Sequence, residues 1–287
     1  MNGRNTRDLT DRHLYLVLTE EYGTGRPLMS VAEEAIAGGV DILQMREKSR
    51  PRSDLLQLGS GLAALCRKSG VTFIVNDDPF LAAELDADGV HLGQEDLQTY
   101  SVDTARKIIG KDRILGLSTH SLEQFRRACE LDADYLAFGP IFPTRTKDYS
   151  IGTGDVAEVL RIASTPVVLI GGVNTSNLDL LLSEGASSVA LIRDIMQAED
   201  VASRTRWYKD RLKKGAGRGR VKVRVNGREE SLPDGNVTLQ ELVETRGLVP
   251  ERVVVELNLE VIPREHWPTV SLQAEDSVEL VSFVGGG

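Results

Sequence analysis

The sequence predicts an α/β fold, a (β/α)8 TIM barrel, followed by a small α+β domain of the β-grasp, ubiquitin-like type. Eight short β-rich runs alternate with helical patterns, a basic segment follows them, and a different pattern occupies the final part of the chain. Repeated strand–helix alternation is typical of a parallel sheet, and eight units close most naturally into a barrel. The alternative is an open doubly wound sheet, which is disfavoured because no Gly-x-Gly-x-x-Gly motif follows the first strand.

The eight predicted strands recur at a steady spacing along the chain. Apolar residues at three- and four-residue spacing follow them, as in the predicted helices Ser53–Lys68 and Leu122–Leu131. The repeat is shorter than the roughly 30 residues that a typical barrel spends on each unit, so we expect a compact barrel. The strands are predicted at Leu14–Thr19, Ile42–Arg46, Thr72–Val75, Gly89–Leu92, Leu115–Ser118, Tyr135–Phe138, Val167–Ile170 and Val189–Ile192.

The pattern changes near residue 210, where basic and small residues replace the strand–helix alternation. The run Lys213-Lys214-Gly215-Ala216-Gly217-Arg218-Gly219 has a composition typical of flexible, solvated linkers. We therefore predict a barrel domain at 1–211, a flexible basic linker at 212–219 and a second domain at 220–287. A nucleic-acid-binding arm is the alternative interpretation of the linker.

The last segment has the pattern of a small β-rich domain. Valines alternate over residues 221–225, and Asn226-Gly227 then supplies the pair that a tight hairpin turn prefers. A short helix, Thr238–Arg246, begins with a capping-box pattern. Further strands are predicted at Val253–Leu257 and Val278–Val284, before three terminal glycines. This order of elements predicts the β-grasp architecture.

Composition narrows the class of protein. A net charge of −9 and a pI near 5.1 argue against a general nucleic-acid binder, whose surface is basic. No apolar run approaches the roughly 20 residues of a membrane helix, and the first dozen residues lack the apolar core of a signal peptide. The two cysteines, Cys66 and Cys129, form no metal-type pair and are expected to be buried and inert. We expect a cytoplasmic protein.

Polar residues follow the predicted strands at the barrel end where function gathers in this fold. Arg46, Lys48 and Lys147 bring three cations to one mouth, which is more than a neutral substrate requires. Asp77 and Asp96 supply hard oxygen ligands, and Mg2+ typically takes one or two protein carboxylates together with water and phosphate oxygens. We therefore expect a metal-bound anion site around strands two to six.

A glycine pair marks a second expected anion site. Gly171-Gly172 ends strand seven, and together with the loop after strand eight it occupies the usual phosphate site of such barrels. Alternative interpretations remain for neighbouring residues: Asp78 fits a helix cap, Glu47 and Glu95 fit ion-pair partners, and His91 fits a hydrogen-bonded core histidine. His120 is open between a site role and a structural role.

Five motifs together resemble the thiamin phosphate synthase family over residues 14 to about 210. They are Gln-x-Arg-Glu-Lys from Gln44, Asn76-Asp-Asp, Asp88-Gly-Val-His-Leu-Gly-Gln-Glu-Asp96, Gly-Pro-Ile-Phe-Pro-Thr-x-Thr-Lys ending at Lys147, and Ile-Gly-Gly ending at Gly172. The resemblance implies joining of hydroxymethylpyrimidine pyrophosphate to hydroxyethylthiazole phosphate with release of pyrophosphate. It implies that the pyrophosphate departs first and that the thiazole nitrogen then captures the pyrimidine cation, so that no general base is required.

The resemblance also implies roles for individual residues. The residues expected to bind the pyrimidine pyrophosphate are Gln44, Arg46, Lys48, Asn76, Ser118 and Lys147, of which Arg46, Ser118 and Lys147 are assigned as catalytic. Asp77 and Asp96 are expected to bind Mg2+. The thiazole phosphate is expected to contact Thr144, Thr146, Gly172, Ile192 and Arg193.

The sequence departs from the family pattern at three places. Strand one runs into Thr19-Glu20-Glu21, where Thr-Asp and a basic residue are expected; the segment Asp148–Gly154 lacks a proline; and Arg193 replaces a small hydroxyl residue. The alternative enzyme is another phosphate-binding barrel, such as a sugar or indole isomerase. The two aspartates argue against it because those chemistries use paired general acids and bases.

The second domain resembles the thiamin sulfur-carrier family over residues 220–287. The likeness rests on Val-x-Val-Asn-Gly, Glu251-Arg-Val-Val-Val-Glu-Leu-Asn258, Val261-Ile-Pro-Arg264 and Val281-Ser-Phe-Val-Gly-Gly-Gly. It implies that an ATP-dependent activating enzyme adenylates the carboxylate of Gly287, that a thiocarboxylate forms there, and that thiazole synthase takes the sulfur. A plain interaction module, a protein modifier or the small subunit of molybdopterin synthesis are the alternatives.

Overall fold

The computed structural model describes residue 9 and residues 11–144, 148–216, 220–233, 237–246, 248 and 250–282. The chain divides into two compact units, Met1–Gly215 and Ala216–Gly287. Within the described residues, no helix is both long and apolar enough to cross a membrane.

The first unit is a closed barrel of eight parallel strands. Each strand pairs with the next, and β8 pairs with β1, so the sheet has no free edge. The strands are β1 Leu14–Leu18, β2 Ile42–Met45, β3 Thr72–Asn76, β4 Gly89–Leu92, β5 Ile114–Thr119, β6 Tyr135–Phe138, β7 Val167–Ile170 and β8 Val189–Leu191. The predicted barrel is confirmed, and each strand begins within one residue of its predicted start.

Helices surround the barrel and pack on the outer face of its strands. They are α1 Leu28–Gly38, α2 Arg52–Ser69, α3 Pro79–Glu84, α4 Val102–Ile109, α5 Leu122–Ala128, α6 Val156–Ile162, α7 Leu178–Ser183, α8 Arg193–Met196 and α9 Val201–Ala216. Asp78 caps α3 as the sequence suggested, because its side chain accepts a hydrogen bond from the Leu81 amide.

Alternation along the strands divides the core into two layers. Outward-facing residues such as Leu16 and Leu43 pack under the helices in one large cluster. Inward-facing residues, among them Tyr15, Ile42 and Tyr135, form a second cluster inside the barrel. Successive side chains of a strand point to opposite faces, so the same short runs supply both layers.

The predicted start of the linker is wrong. Residues 212–216 continue α9 instead of forming a flexible segment. Tyr208 and Leu212 lie one helical turn apart and are both fully buried against the barrel, which extends the helix into the basic run. Residues 217–219 lie outside the described part of the chain.

In its described residues, the second unit is a five-stranded mixed sheet with one α-helix, which confirms the predicted architecture. The strand order is β10-β9-β13-β11-β12, with β9 and β13 parallel at the centre. Its elements are β9 Arg220–Val225, β10 Arg228–Pro233, α10 Leu239–Thr245, β11 Val253–Leu257, β12 Glu260–Ile262 and β13 Ser277–Ser282. The end of the last predicted strand, residues 283–284, lies outside the described residues.

Local chemistry explains the hairpin and the helix of this unit. Asn226 and Gly227 have φ of 47° and 75°, as a two-residue hairpin turn requires. Thr238 and Glu241 form the predicted capping box at the start of α10. Trp267 is buried at the centre of the core, and its indole N–H donates to the Ile262 carbonyl at 2.8 Å.

Candidate active site

A cleft of about 980 Å³ opens at the carboxyl ends of the barrel strands. Most of the residues predicted for the substrates and the metal line it, although they come from distant parts of the chain. These residues are Gln44, Arg46, Lys48, Asn76, Asp77, Asp96, Ser118, Thr144, Gly172, Ile192 and Arg193. Thr146, Lys147 and Gly287 lie outside the described residues.

Two carboxylates lie close together on one side of this cleft. Burial, and then the neighbouring Asp96, raise the pKa of Asp77 from 3.8 to about 6, although Lys48 and Arg46 oppose this shift. The Asp96 carboxylate accepts the Gly93 amide at 2.9 Å, and the Asp77 amide donates to the His91 carbonyl at 2.8 Å. The backbone therefore holds two mutually repelling acids in place.

The acidic pair fits a cation that also binds a substrate phosphate. The described part of the chain contains no group of three or more His, Cys, Asp or Glu side chains that could hold a metal ion. A metal at Asp77 and Asp96 would thus depend on water and substrate oxygens for its remaining ligands, which is the usual situation of Mg2+. The positive charge would also relieve the repulsion that raises the pKa of Asp77.

Two cations of the cleft, Lys48 and Arg46, form only long ion pairs within the protein. Lys48 Nζ lies 3.5 Å from an Asp77 carboxylate oxygen, and Arg46 lies 3.4 Å from Glu21. Exposed ion pairs of this length contribute little to stability, so both cations can exchange their partners for a bound anion. In the unusual Glu20-Glu21 pair after strand β1, Glu21 thus contacts a residue of the cleft, and Glu20 pairs with Arg50 at 2.8 Å.

The glycine turn after β7 forms another wall of the cleft. Gly171 and Gly172 have φ of 99° and 66°, a region that favours glycine. A Cβ on Gly172 would lie only 2.6 Å from the Pro143 carbonyl oxygen, so this position has no room for a side chain. The side-chain amides of Asn174 and Asn177 both donate to the Gly172 carbonyl, at 3.1 and 3.0 Å, which fixes the turn.

Arg193 lies near this turn, at the start of α8. Its guanidinium carbon is 5.9 Å from the ring centre of Tyr22, a cation–π distance. The next residue, Asp194, accepts hydrogen bonds from Arg204 at 2.7 Å and from the Tyr208 hydroxyl at 2.5 Å. These contacts anchor the short helix to α9 and bring a second arginine, Arg204, to the cleft.

Several residues that line the cleft were not predicted as site residues. Gln94 lies inside a recognised motif and donates to the Ser118 carbonyl at 2.5 Å. His120 contacts the Gly139 carbonyl through Nδ1 at 2.5 Å, and Tyr149 meets its ring edge-on. Others include Asn174, which belongs to the glycine turn, and Gln197 and Arg204, whose place in the cleft depends on the packing of α8 and α9. Gln94 and His120 carried a sequence signal, through their positions after strands four and five.

Below the cleft, a row of hydrogen bonds crosses the barrel interior. Gln44 Nε2 donates to the Tyr15 hydroxyl at 2.9 Å, and that hydroxyl lies 2.8 Å from the Tyr135 hydroxyl. The Tyr135 hydroxyl is 2.9 Å from Nδ1 of His91, whose Nε2 is 2.8 Å from Ser118 Oγ. His91 is thus the hydrogen-bonded core histidine that the sequence favoured, and burial lowers its pKa to about 4.

Comparison with known proteins gives the family of each part of the chain. Residues 14–195 match the family model TMP-TENI, thiamine monophosphate synthase, and residues 219–287 match the ThiS family model. The thiamine-phosphate synthase of Halalkalibacterium halodurans is 41% identical over 196 residues, which cover 67% of this chain and 92% of that protein. That of Persephonella marina is 38% identical over 202 residues, covering 70% and 95%.

A solved structure supports the same relationship. The thiamine phosphate pyrophosphorylase from Pyrococcus furiosus is 32% identical with a TM-score of 0.66, covering 72% of this chain and 99% of that one. The resemblance inferred from the motifs is confirmed for both parts of the chain. The chain belongs to the thiamine monophosphate synthase family of transferases and carries a ThiS family domain at residues 219–287.

Proposed function

We propose that the barrel couples hydroxymethylpyrimidine pyrophosphate to hydroxyethylthiazole phosphate in a Mg2+-dependent reaction. The observation that carries this proposal is the single cleft that gathers the cations Arg46 and Lys48, the acids Asp77 and Asp96, and the Gly172 turn. The cleft is large enough for two small phosphorylated ligands, because pockets of about 300–1,000 Å³ enclose drug-sized molecules.

The basic side of the cleft is proposed to bind the pyrimidine pyrophosphate. Arg46 and Lys48 neutralise the diphosphate, and their electrostatic contribution grows as charge accumulates on the departing group. Gln44, Asn76 and Ser118 line the same cleft and are proposed to orient the pyrimidine ring. Lys147 keeps its proposed place among the pyrophosphate ligands through the family motif alone.

Asp77 and Asp96 are the proposed Mg2+ ligands. When bound, Mg2+ would supply positive charge that stabilises the leaving pyrophosphate. The protein holds the two carboxylates ready by backbone contacts, so little rearrangement is needed when the cation and substrate arrive. The raised pKa of Asp77 supports this assignment, since a carboxyl that resists ionisation beside another acid gains from a neighbouring cation.

The opposite side of the cleft is proposed to hold the thiazole phosphate. Gly172, Thr144, Ile192 and Arg193 line the cleft and are assigned to this phosphate, and Thr146 is added through the family motif alone. Anchoring the phosphate keeps the thiazole nitrogen close to the pyrimidine methylene carbon, and proximity of this kind lowers the entropic part of the barrier. The C–O bond to pyrophosphate breaks first, and the nitrogen lone pair then forms the new C–N bond with the pyrimidine cation, so no proton transfer is needed.

An assay of pyrophosphate release tests this proposal. Incubating the full chain with both substrates and Mg2+ should give pyrophosphate and thiamin phosphate in equal amounts, and omission of either substrate should stop the reaction. Isomerisation of a phosphorylated sugar without Mg2+, with no condensation, would favour the rival barrel enzyme.

For the second domain, we propose sulfur carriage as a thiocarboxylate on Gly287. The match of residues 219–287 to the ThiS family and the β-grasp architecture support this role. An activating enzyme would adenylate the glycine carboxylate with ATP, releasing pyrophosphate, and a sulfur nucleophile would then displace AMP. Thiazole synthase is the proposed acceptor of the sulfur.

Mass spectrometry of the intact chain tests sulfur carriage. After incubation with the activating enzyme, ATP and a sulfur source, one oxygen of the terminal carboxylate should be replaced by sulfur. A variant that lacks Gly287 should remain unmodified and keep full synthase activity. An unmodified wild-type terminus under these conditions would favour the interaction module instead.

A further inference from the structure

Inside the barrel, the hydrogen-bonded row from Gln44 to Ser118 does more than fill space. It passes through the side chains of Tyr15, Tyr135 and His91, and its five members come from five different strands. Barrel interiors are usually packed with branched apolar side chains. Polar groups in such a place need complete pairing to avoid a large desolvation cost, so their presence calls for a role besides packing.

The surrounding structure makes room for this row. Tyr15 and Tyr135 are 2% and 0% exposed, within the inner cluster of the barrel. A Cβ on Gly116 would lie 2.1–2.4 Å from the tip of the Tyr135 ring, including 2.4 Å from its hydroxyl oxygen. The absence of a side chain at Gly116 therefore allows the Tyr135 hydroxyl to reach between Tyr15 and His91.

The donors and acceptors of the row depend on one another. Each tyrosine hydroxyl has one proton to donate, and a neutral imidazole has one donor and one acceptor nitrogen. When Gln44 Nε2 donates to Tyr15, the protons pass in order along Tyr15, Tyr135 and His91, and His91 Nε2 donates to Ser118 Oγ. The direction of donation in one of these hydrogen bonds therefore sets the direction in all the others.

Because of this dependence, one end of the row offers a hydrogen-bond donor to the cleft and the other end offers an acceptor. At one end Gln44 keeps its Oε1 acceptor, and at the other end Ser118 keeps its own hydroxyl proton to donate. Rotation of the Gln44 amide would reverse every bond and exchange the characters of the two ends. In both arrangements one end donates and the other accepts.

We propose that Tyr15, Tyr135 and His91 are positioning residues that hold Gln44 and Ser118 as one coupled donor–acceptor pair for the pyrimidine ring. Such a pair matches a heteroaromatic ring whose edge offers one donor and one acceptor. The inference rests on the proposed assignment of Gln44 and Ser118 to the pyrimidine substrate.

Steady-state kinetics of Tyr135→Phe and Tyr15→Phe test this inference. Each variant removes one hydroxyl and should raise the KM for the pyrimidine substrate on the order of tenfold, the effect of one disrupted buried hydrogen bond. The KM for hydroxyethylthiazole phosphate should not change. Thr119→Val is the matched control: it removes a fully buried hydroxyl of the same strand as Ser118, one that bonds the Ala137 carbonyl instead of joining the row.

A double-mutant cycle separates positioning from a general structural effect. Tyr15 and Ser118 do not hydrogen-bond each other directly but are joined through Tyr135 and His91. In a Ser118→Ala background, Tyr15→Phe should raise the pyrimidine KM less than about twofold, because the coupled pair is already broken. The inference would be overturned if the fold-changes that Tyr15→Phe and Ser118→Ala cause in the pyrimidine KM multiplied in the double variant. An equal rise in the KM of both substrates would overturn it as well.

Two outcomes remain distinct in this design. An inactive wild-type chain would refute the proposed function, whereas an active wild type with unaltered Tyr15→Phe and Tyr135→Phe variants would refute only the positioning role. If Tyr135→Phe fails to fold, the cycle with Tyr15→Phe and Ser118→Ala still decides the question.

Discussion

Replacing Asp77 with asparagine should abolish synthase activity and yet stabilise the barrel. The substitution keeps the size of the side chain and removes the negative charge that faces Asp96. Asparagine also suits the backbone, because Asp77 has φ of 66°, a region that Asn and Asp tolerate better than other non-glycine residues. Asp77→Ala would add backbone strain and is the less informative variant.

The magnitude follows from the pKa of Asp77, which is raised from 3.8 to about 6. A shift of about two units corresponds to roughly 3 kcal/mol, and solvent screening of a carboxyl that is 29% exposed reduces this to about 1–2 kcal/mol. A folded pKa above the unfolded value means that stability falls as pH rises. The loss of stability caused by ionising Asp77 in the folded protein is absent below about pH 4. It grows as the pH rises toward the folded pKa and is complete well above that value.

Calorimetry of the barrel transition in chelator, for wild type and Asp77→Asn, measures this difference. We expect the variant to be more stable by about 1–2 kcal/mol near pH 8, with the advantage shrinking toward pH 4. Added Mg2+ should stabilise the wild type and have little effect on the variant. A variant that is less stable than wild type at pH 8, or that gains equally from Mg2+, would refute the idea of a strained acidic pair.

Three further predictions concern other parts of the chain. Gly172→Ala places a Cβ 2.6 Å from the Pro143 carbonyl at a positive φ; steady-state kinetics should show the KM for the thiazole phosphate rising about tenfold, while an unchanged value would remove Gly172 from that site. Thr238→Ala breaks the capping box of α10 and should lower the stability of the second unit by about 1 kcal/mol in calorimetry, with no change in synthase rate. Because burial lowers the pKa of His91 from 6.5 to about 4, barrel stability should fall as pH drops below the unfolded value. Denaturant titrations should show that the wild type loses about 2 kcal/mol more stability than His91→Asn between pH 7 and 5, since the opposite contribution of Asp77 is common to both; an identical pH dependence in the variant would contradict this.

Much of the fold could be predicted because the local patterns are strong. Each barrel strand begins within one residue of its predicted start, since short apolar runs are bounded by clear turn or helix signals. The linker prediction failed because it relied on the basic composition after Leu212 and not on the apolar spacing. Tyr208 and Leu212 lie on one buried face of a helix that continues into the basic run. The apolar spacing was present in the sequence.

The candidate site could be predicted in its outline but not in its interior. Residues in the loops that follow strands, such as Asp77 and Asp96, reach the cleft whatever the detailed register, so sequence order was sufficient to group them. Tyr15 and Tyr135 resembled ordinary apolar strand residues. Both side chains point inward, and their hydroxyl oxygens lie 2.8 Å apart, only because the sheet closes into a barrel. Arg204 reaches the cleft through the packing of a helix that has no fixed distance from any motif.

Calorimetric titration of the pyrimidine pyrophosphate into the full chain tests the central claim most directly. The account predicts that Mg2+ strengthens binding by at least about a hundredfold over chelator in the wild type, equivalent to roughly 3 kcal/mol, and that this gain disappears in Asp77→Asn and Asp96→Asn. Equal affinity with Mg2+ and with chelator in the wild type would contradict a shared site for the metal and the pyrophosphate at the barrel mouth.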